Sequence, residues 1–378
     1  MTSPRTVPET TSKRNLFGLS RPQLGQFFAD LGEKPFRASQ VIQWIHRHGV
    51  TRFDDMTNLG KGLRERLKET ACITPPKVLT RQHSQDGTRK WLIQVGPENQ
   101  GIETVYIPTK NRGTLCVSSQ VGCALDCQFC STAQLGFSRN LGSDEIIAQL
   151  WLAWKELGLN VADFHGKKAI SNIVLMGMGE PLLNLDNVIS AVSIMQDDLA
   201  YGLAKKRITL STAGHVPGIY RLRELSDISL AVSLHAPNDQ IRNQIMPINR
   251  KYPVEELLDA CQAFISGQKQ RHVTFEYVML DGINDSDECA HELVKRLSGM
   301  ASKVNLIPFN PFPGTRFKCS PEHRIQSFQR ILMSRNIMTM TRRTRGDDID
   351  AACGQLVGKH TGRRNHRHVR TAPEATVL

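Results

Sequence analysis

No run of about 18 apolar residues interrupts this sequence, so it holds no segment built to cross a bilayer as a helix. The N-terminus, Met1-Thr-Ser-Pro-Arg-Thr-Val-Pro-Glu9, lacks the apolar core of a secretory signal. Nine cysteines, an odd number without such a signal, argue against a disulfide scaffold and for a reducing, cytoplasmic compartment. Acidic residues fall short of basic ones, 36 against 48, which leaves a net charge of +12 and a pI near 9.4. That excess suits a polyanion such as nucleic acid, and equally suits a solvated basic surface. A second C-x2-C knuckle is also missing, since Cys261, Cys289 and Cys319 stand apart, and a structural zinc site ordinarily pairs two. With 378 residues, 40% of them apolar, the chain is long enough for one large domain and a smaller one.

What is present is a single dense run, Cys123-Ala-Leu-Asp-Cys127-Gln-Phe-Cys130, opened by Gly122. Three thiolates on one short loop can converge on one metal centre, and soft sulfur selects iron–sulfur, zinc or copper(I). A [4Fe–4S] cube takes four cysteines when all its irons are protein-bound. Three leave one iron open to a small molecule. The competing readings are zinc, or three buried cysteines used as small apolar residues.

Around this run the sequence divides readily. Residues 1–14 are polar and read as a disordered leader. Residues 15–75 carry three helical patterns: one from Ser20 as cap with Pro22 in the first turn, one over 36–46 and one over 59–67. Lys34, Arg37, Arg47, His48 and Arg52 would be exposed on this helical module and suited to an RNA backbone, or simply solvated. After Pro75-Pro76, residues 76–108 read as a small antiparallel extension, with strands over 77–83, 88–95 and 101–107 and turns at Asp86-Gly87 and Gly96-Pro97. From 109 to 345 strand and helix alternate. Strand patterns cover 115–119, 173–176, 207–211, 229–234, 273–278 and 304–307, and a last one covers 337–341. Helices are expected at Ser143 as cap, over 255–265, 287–297 and 321–335. Six β/α repeats imply an α/β fold with a parallel sheet closing partly or wholly into a barrel, whose active site lies at the C-terminal strand ends. Cys123, Gly179, Ser211, Ser233 and Asn310 fall at or just after those ends. Residues 346–378 form a loop with three aspartates and Cys353, then a basic tail; 359–370 holds five Lys or Arg, three His and no acid.

The C-x3-C-x2-C run with Phe129 before its last cysteine resembles the signature of the radical S-adenosylmethionine (SAM) superfamily. The longer stretches from Cys116 to Cys123 and from Cys130 to Phe137 resemble one branch, the dual-specificity ribosomal-RNA and transfer-RNA adenine-C2 methyltransferases. Met176-Gly-Met-Gly-Glu-Pro181, Ser233-Leu-His-Ala236, Asn310-Pro-Phe-Pro313 and the run from Arg345 to Gly354 extend the likeness from about residue 100 to 355.

The resemblance implies a partial (β/α)6 radical-SAM barrel and a [4Fe–4S] cluster on Cys123, Cys127 and Cys130. It implies SAM held by Gly179, Glu180, Ser211, Ser233, Leu234, His235 and Asn310, and two SAM molecules per turnover. Adenine C2 has no acidic proton and resists direct attack on a methyl sulfonium, which is why the family uses a carrier. Cys353 takes a methyl by displacement, loses a hydrogen atom to a 5′-deoxyadenosyl radical, and adds to C2. Cys116 then attacks the Cys353 sulfur, forming a disulfide and releasing product, while Glu103 is matched to proton transfer. Implied partners are 23S ribosomal RNA before full ribosome assembly, transfer RNA at the adenine 3′ to the anticodon, and a one-electron donor such as flavodoxin. No membrane partner is implied. Two other readings stay open: the related branch that methylates adenine C8, and a zinc-stabilised RNA-binding module without catalysis. Cys72, Cys261, Cys289 and Cys319 are left as structural.

Overall fold

The computed structural model describes residues 13–96, 100–110, 112–159, 169–268 and 271–357, with the backbone of 359–360. The leader up to residue 12, the Gly96-Pro97 turn from Pro97 onward, and the basic tail beyond His360 lie outside the described residues. Among those described, no helix is long and apolar enough to cross a membrane.

Seven parallel strands follow one another in space as they do in sequence: β6 (Arg112–Cys116), β9 (Asn172–Leu175), β10 (Ile208–Thr212), β11 (Ser229–Ser233), β12 (Val273–Met279), β13 (Ser302–Pro308) and β14 (Met338–Thr341). Helical crossovers join them: α5 (Ser143–Glu156), α6 (Leu185–Gln196), α7 (Val216–Leu225), α8 (Asp239–Ile245) with α9 (Val254–Ile265), α10 (Asp287–Leu297) and α11 (Glu322–Ser334). β14 does not pair with β6, so the sheet stays open. It is nonetheless strongly curled. Met176 just past β9 and Arg342 just past β14 are five strand steps apart, about 24 Å along a flat sheet. Their side chains meet at 3.7 Å.

On the β6 edge the sheet continues antiparallel through β5 (Gln100–Thr109), β4 (Arg89–Gln94) and β3 (Lys77–His83), the meander that the turn residues imply. Asp86 Oδ1 accepts the Thr88 N–H at 2.8 Å, closing the β3–β4 turn around Gly87 in its left-handed conformation.

The N-terminal module is built from α1 (Arg21–Asp30), α2 (Phe36–Ile42) running into a π turn over Gln43–Arg47, and α3 (Lys61–Thr70). Gln23 accepts the Ser20 N–H at 2.9 Å, the reciprocal half of a capping box. Two expectations change here. Arg14 belongs to a short strand, β1 (Arg14–Asn15), paired with β2 (Ala71–Cys72), so the ordered chain begins before residue 15. Of the five expected basic side chains, Lys34, His48 and Arg52 are exposed, but Arg37 and Arg47 are half-buried. Arg37 turns to Gln40 and Glu33, and Arg47 donates to the Asp198 carbonyl.

The module is no appendage. Leu16, Phe17 and Ile45 share one continuous core with α5 and the strands. Trp151 Nε1 donates to the Ile45 carbonyl, His46 meets Tyr201 at 3.2 Å, and Arg21 pairs with Asp197 at 2.8 Å. Gly142, not Ser143, caps α5. Its N–H goes to Glu145, and the Ser143 hydroxyl instead reaches across to the Gly18 carbonyl.

Candidate active site

A hairpin unseen in the sequence frames the cysteine loop. β7 (Gln120–Gly122) and β8 (Phe137–Asn140) pair antiparallel, and Cys123 to Cys130 lie between them, followed by the short α4 (Ser131–Gln134). Gly122 has φ of +76°, and a Cβ there would collide with the Gly136 carbonyl, so only glycine fits the hairpin's inner edge. Gln128 N–H donates to the Ile245 carbonyl, and Phe129 packs edge-on against His235 at 4.7 Å, tying the loop to β11 and α8.

Cys123, Cys127 and Cys130 all line a cavity of about 970 Å³ at the C-terminal ends of the parallel strands. Gly179, Glu180, Ser211, Ser233, His235 and Asn310 line it too, as expected from their positions after the strands. Leu234 does not: its side chain is buried and its N–H goes to the Glu276 carbonyl, so it spaces Ser233 and His235. Gly179 has φ of +97°, and a Cβ there would strike Gln120.

Burial sets the protonation of this wall. Cys123 is pushed up to about 12 by burial, Cys127 well above its ordinary value, and Cys130 also up. Burial thus favours the neutral thiol at all three, and a cationic centre bound there would displace their protons. Among the described residues no three His, Cys, Asp or Glu converge on a point for one metal ion. A cube asks for something else, because its three cysteine sulfurs bind three different irons. Glu180 is fully buried, which raises it to about 7 although Ala213 and Leu182 N–H groups donate to its two oxygens at 2.8 and 3.0 Å. Burial drops His235 to about 3, so it is neutral, and its Nδ1 accepts the Val278 N–H at 2.9 Å. Glu276, 3% exposed on β12, keeps Oε2 without a hydrogen-bond partner in the cavity wall. A wall with an open glycine cradle, a buried carboxyl and an orphaned acceptor fits a ligand bearing amine and hydroxyl donors.

A second cavity, of about 1130 Å³, opens beside the first and is lined by Cys116, Ile107, Arg343, Thr344 and Arg345. Met176, Asn310, Arg342 and Cys353 line both. Cys353, exposed, thus stands where the cysteine-loop cavity meets the one holding Cys116. All nine cysteines are free thiols. Burial pushes Cys116 up to about 12.

The segment carrying Cys353 is clasped from several sides. Gly346 N–H donates to Asp86 at 3.1 Å and Gln85 N–H to Asp348 at 3.2 Å, joining it to the β3–β4 turn. Lys90 donates to the Asp350 carbonyl, and Ser131 N–H to the Gly354 carbonyl at 2.7 Å. Glu103 takes part in this clasp rather than facing a cavity. Its carboxylate accepts the Val357 N–H at 2.9 Å and pairs with buried Lys90 at 3.3 Å. It lines neither cavity, although Val105, two residues on, faces Cys116 across the β5–β6 ladder, so both side chains leave the same sheet face.

Two residues escape sequence reasoning. Arg242 on α8 is wholly buried and donates to the carbonyls of Ala213, Ser233 and Leu234, clipping together the ends of β10 and β11. Arg342 is the other. A lone arginine in a helix or after a strand gives no local signal; only the curl of the sheet reveals what it touches.

An open parallel barrel with three cysteines on the β7–β8 loop, facing a glycine-backed cavity, defines a radical SAM enzyme. Residues 117–294 match the radical SAM superfamily, and residues 14–73 match the N-terminal domain of ribosomal RNA large subunit methyltransferases. A dual-specificity RNA methyltransferase RlmN from Alkalilimnicola ehrlichii is 58% identical over 345 residues, covering 91% of this chain and 94% of that one. Its counterpart from Stenotrophomonas maltophilia strain R551-3 is 55% identical, over 94% and 90%. A radical SAM methyltransferase from Sphaerobacter thermophilus superposes with a TM-score of 0.83 at 41% identity, covering 91% of this chain and 99% of that one. The chain belongs to the RlmN family of dual-specificity RNA methyltransferases, radical SAM enzymes that use a [4Fe–4S] cluster and SAM.

Proposed function

We propose that this enzyme methylates C2 of an adenine in 23S ribosomal RNA and of the adenine 3′ to the anticodon in transfer RNA, in the cytoplasm. The observation that carries the reading is Cys353, held at the junction between the cysteine-loop cavity and the cavity lined by Cys116. A carrier that must be loaded beside one ligand and unloaded onto another needs such a place.

Cys123, Cys127 and Cys130 would hold the cluster, with Gly179, Glu180, Ser211, Ser233, His235 and Asn310 around SAM. Bound together, these supply a methyl cation equivalent in one step and a hydrogen-abstracting radical in another. Cys353 accepts the methyl on sulfur and later bonds through that carbon to the base. Cys116, kept as a neutral thiol by burial, waits until its proton is drawn off and then attacks the Cys353 sulfur. The electron pair of the carbon–sulfur bond stays with the methylene carbon, which takes a proton to become the methyl group, and a disulfide remains. Glu103 serves as proton acceptor only after Val357 withdraws and frees its oxygen. Arg343 and Arg345, lining the second cavity, suit the RNA backbone, and the electron comes from a donor such as flavodoxin.

Two substitutions separate the roles. Cys353→Ala should carry no methyl and form no adduct. Cys116→Ala should still load Cys353 and attack C2, then stall with RNA joined to protein, visible on denaturing gels and lost on nuclease digestion. An RNA crosslink in the first variant, or clean turnover in the second, overturns the assignment. Mass spectrometry of RNA nucleosides from a deletion strain should show loss of 2-methyladenosine; loss of 8-methyladenosine instead would place the enzyme in the C8 branch.

A further inference from the structure

We propose that Arg342 is a further catalytic residue, whose guanidinium donates to and orients the Cys353 sulfur that accepts the methyl group, with Glu276 and Asn305 positioning it. The inference rests on Cys353 being the methyl acceptor.

Arg342 follows directly on β14, on the wall common to both cavities. Its backbone N–H donates to the Leu306 carbonyl at 2.8 Å. One prong of its fork is committed: Nη2 donates to Glu276 Oε1 at 2.6 Å. That same oxygen accepts Asn305 Nδ2 at 2.9 Å, so two adjacent strands, β12 and β13, fix the carboxylate. The other prong, Nη1, points at Cys353 Sγ from 3.6 Å, within donor range for sulfur. A guanidinium cannot rotate one nitrogen without the other, so anchoring Nη2 aims Nη1. The sulfur's own side is fixed as well, by the Ser131 N–H on the Gly354 carbonyl. Besides Arg342, the titratable groups around this sulfur are the buried Cys116 and the half-buried Cys130, with Glu276 beyond the arginine.

The nucleophile in methyl transfer is the thiolate, and a charge-assisted donor favours it over the thiol. The thiol proton leaves to solvent before the step. A sulfur lone pair then forms the bond to the methyl carbon, and the pair of the carbon–sulfonium bond departs with S-adenosylhomocysteine. An anion and a cation become two neutral products. A thioether is only a weak acceptor, so the guanidinium loosens its hold when loading is complete. The same contact that prepares Cys353 as nucleophile thus frees it, once methylated, to move toward the base.

The test uses unmethylated protein made under iron limitation and then reconstituted with the cluster, so that Cys353 is a free thiol and the other loop cysteines are ligated. Alkylation of Cys353 by iodoacetamide, followed by peptide mass spectrometry, should slow about threefold in Arg342→Met, because a roughly tenfold loss of thiolate is partly offset by the greater nucleophilicity of a less acidic thiol. Arg342→Lys should stay closer to the parent, and Glu276→Gln should fall between. An unchanged rate in Arg342→Met overturns the proposal. So does a slowing that Arg342→Lys fails to relieve and that accompanies faster hydrogen exchange over residues 350–356, because the contact would then be only structural. Failure of the underlying reading shows separately, as absence of S-methyl on Cys353 in parent protein isolated from iron-replete cells.

Discussion

Glu180 makes a claim on stability that runs opposite to the usual carboxylate. Burial raises it from an ordinary 4.5 to about 7 in the folded protein. Between those values the folded state binds more protons than the unfolded one, so stability falls as pH rises through the window. The contribution is fully present below about 4.5 and fully lost above about 7. Integrated from about pH 5 to about pH 8, one such group costs about 2.5 kcal/mol. Glu180→Gln removes the titration. The amide also keeps one acceptor where the carboxylate used two, for the Leu182 and Ala213 N–H groups, so the variant loses about 1–3 kcal/mol at every pH. That loss is uniform and leaves the slopes comparable. Because the helical module and the barrel share one core, urea unfolding of the cluster-free protein reports on the whole. Between the two pH values the parent should lose about 2.5 kcal/mol more than the variant. Parallel pH profiles for parent and variant would refute the argument, since Glu180 would then ionise near its ordinary value.

Three further outcomes follow from particular contacts. Asp86→Ala removes the acceptor for Gly346 N–H and the partner of Arg345, and hydrogen exchange over residues 346–357 should quicken by about tenfold, one lost hydrogen bond's worth. Arg242→Met leaves the Ala213, Ser233 and Leu234 carbonyls without their buried donor, and should lower stability by about 3 kcal/mol or more in urea. Lys34 and Lys61 are exposed on the N-terminal module; replacing each by Gln should reduce the slope of log RNA affinity against log salt by about one if it meets a phosphate. An unchanged slope would place the RNA elsewhere. Deleting residues 1–75 is a poorer experiment, because Phe17 and Ile45 are part of the barrel's own core.

Strand order, helix positions and the meander are legible in the sequence because each rests on local periodicity and turn chemistry. β3 falls on Lys77–His83 as the Asp86-Gly87 turn requires. The β7–β8 hairpin escaped the same reasoning. Its strands are three and four residues long, and the loop they bracket is read first for its cysteines. Ser143 looked like a cap by composition. Its hydroxyl is taken by Gly18, 125 residues away, which no local rule registers.

The site divides along the same line. Residues that reach the cavity because of their place along a strand, such as Gly179, Ser211 and Asn310, are legible from the strand pattern, since strand ends are adjacent in any parallel barrel. Residues whose role depends on closure across the barrel are not. Arg342 reaches Met176 only because the strands curl enough to bring the end of the last toward the end of the second. Glu103 shows the converse. The role expected of it needs a free carboxylate, yet Lys90 and Val357 occupy that group, so its availability depends on the clasp over the Cys353 segment. That clasp links the β3–β5 extension to chemistry more than 200 residues downstream. Asp86, Lys90 and Glu103 each hold a backbone group of residues 346–357, and releasing them is what would free Glu103 and let Cys353 travel. The small antiparallel extension therefore holds the Cys353 segment in place, though none of its residues lines the cavity that holds the three cysteines.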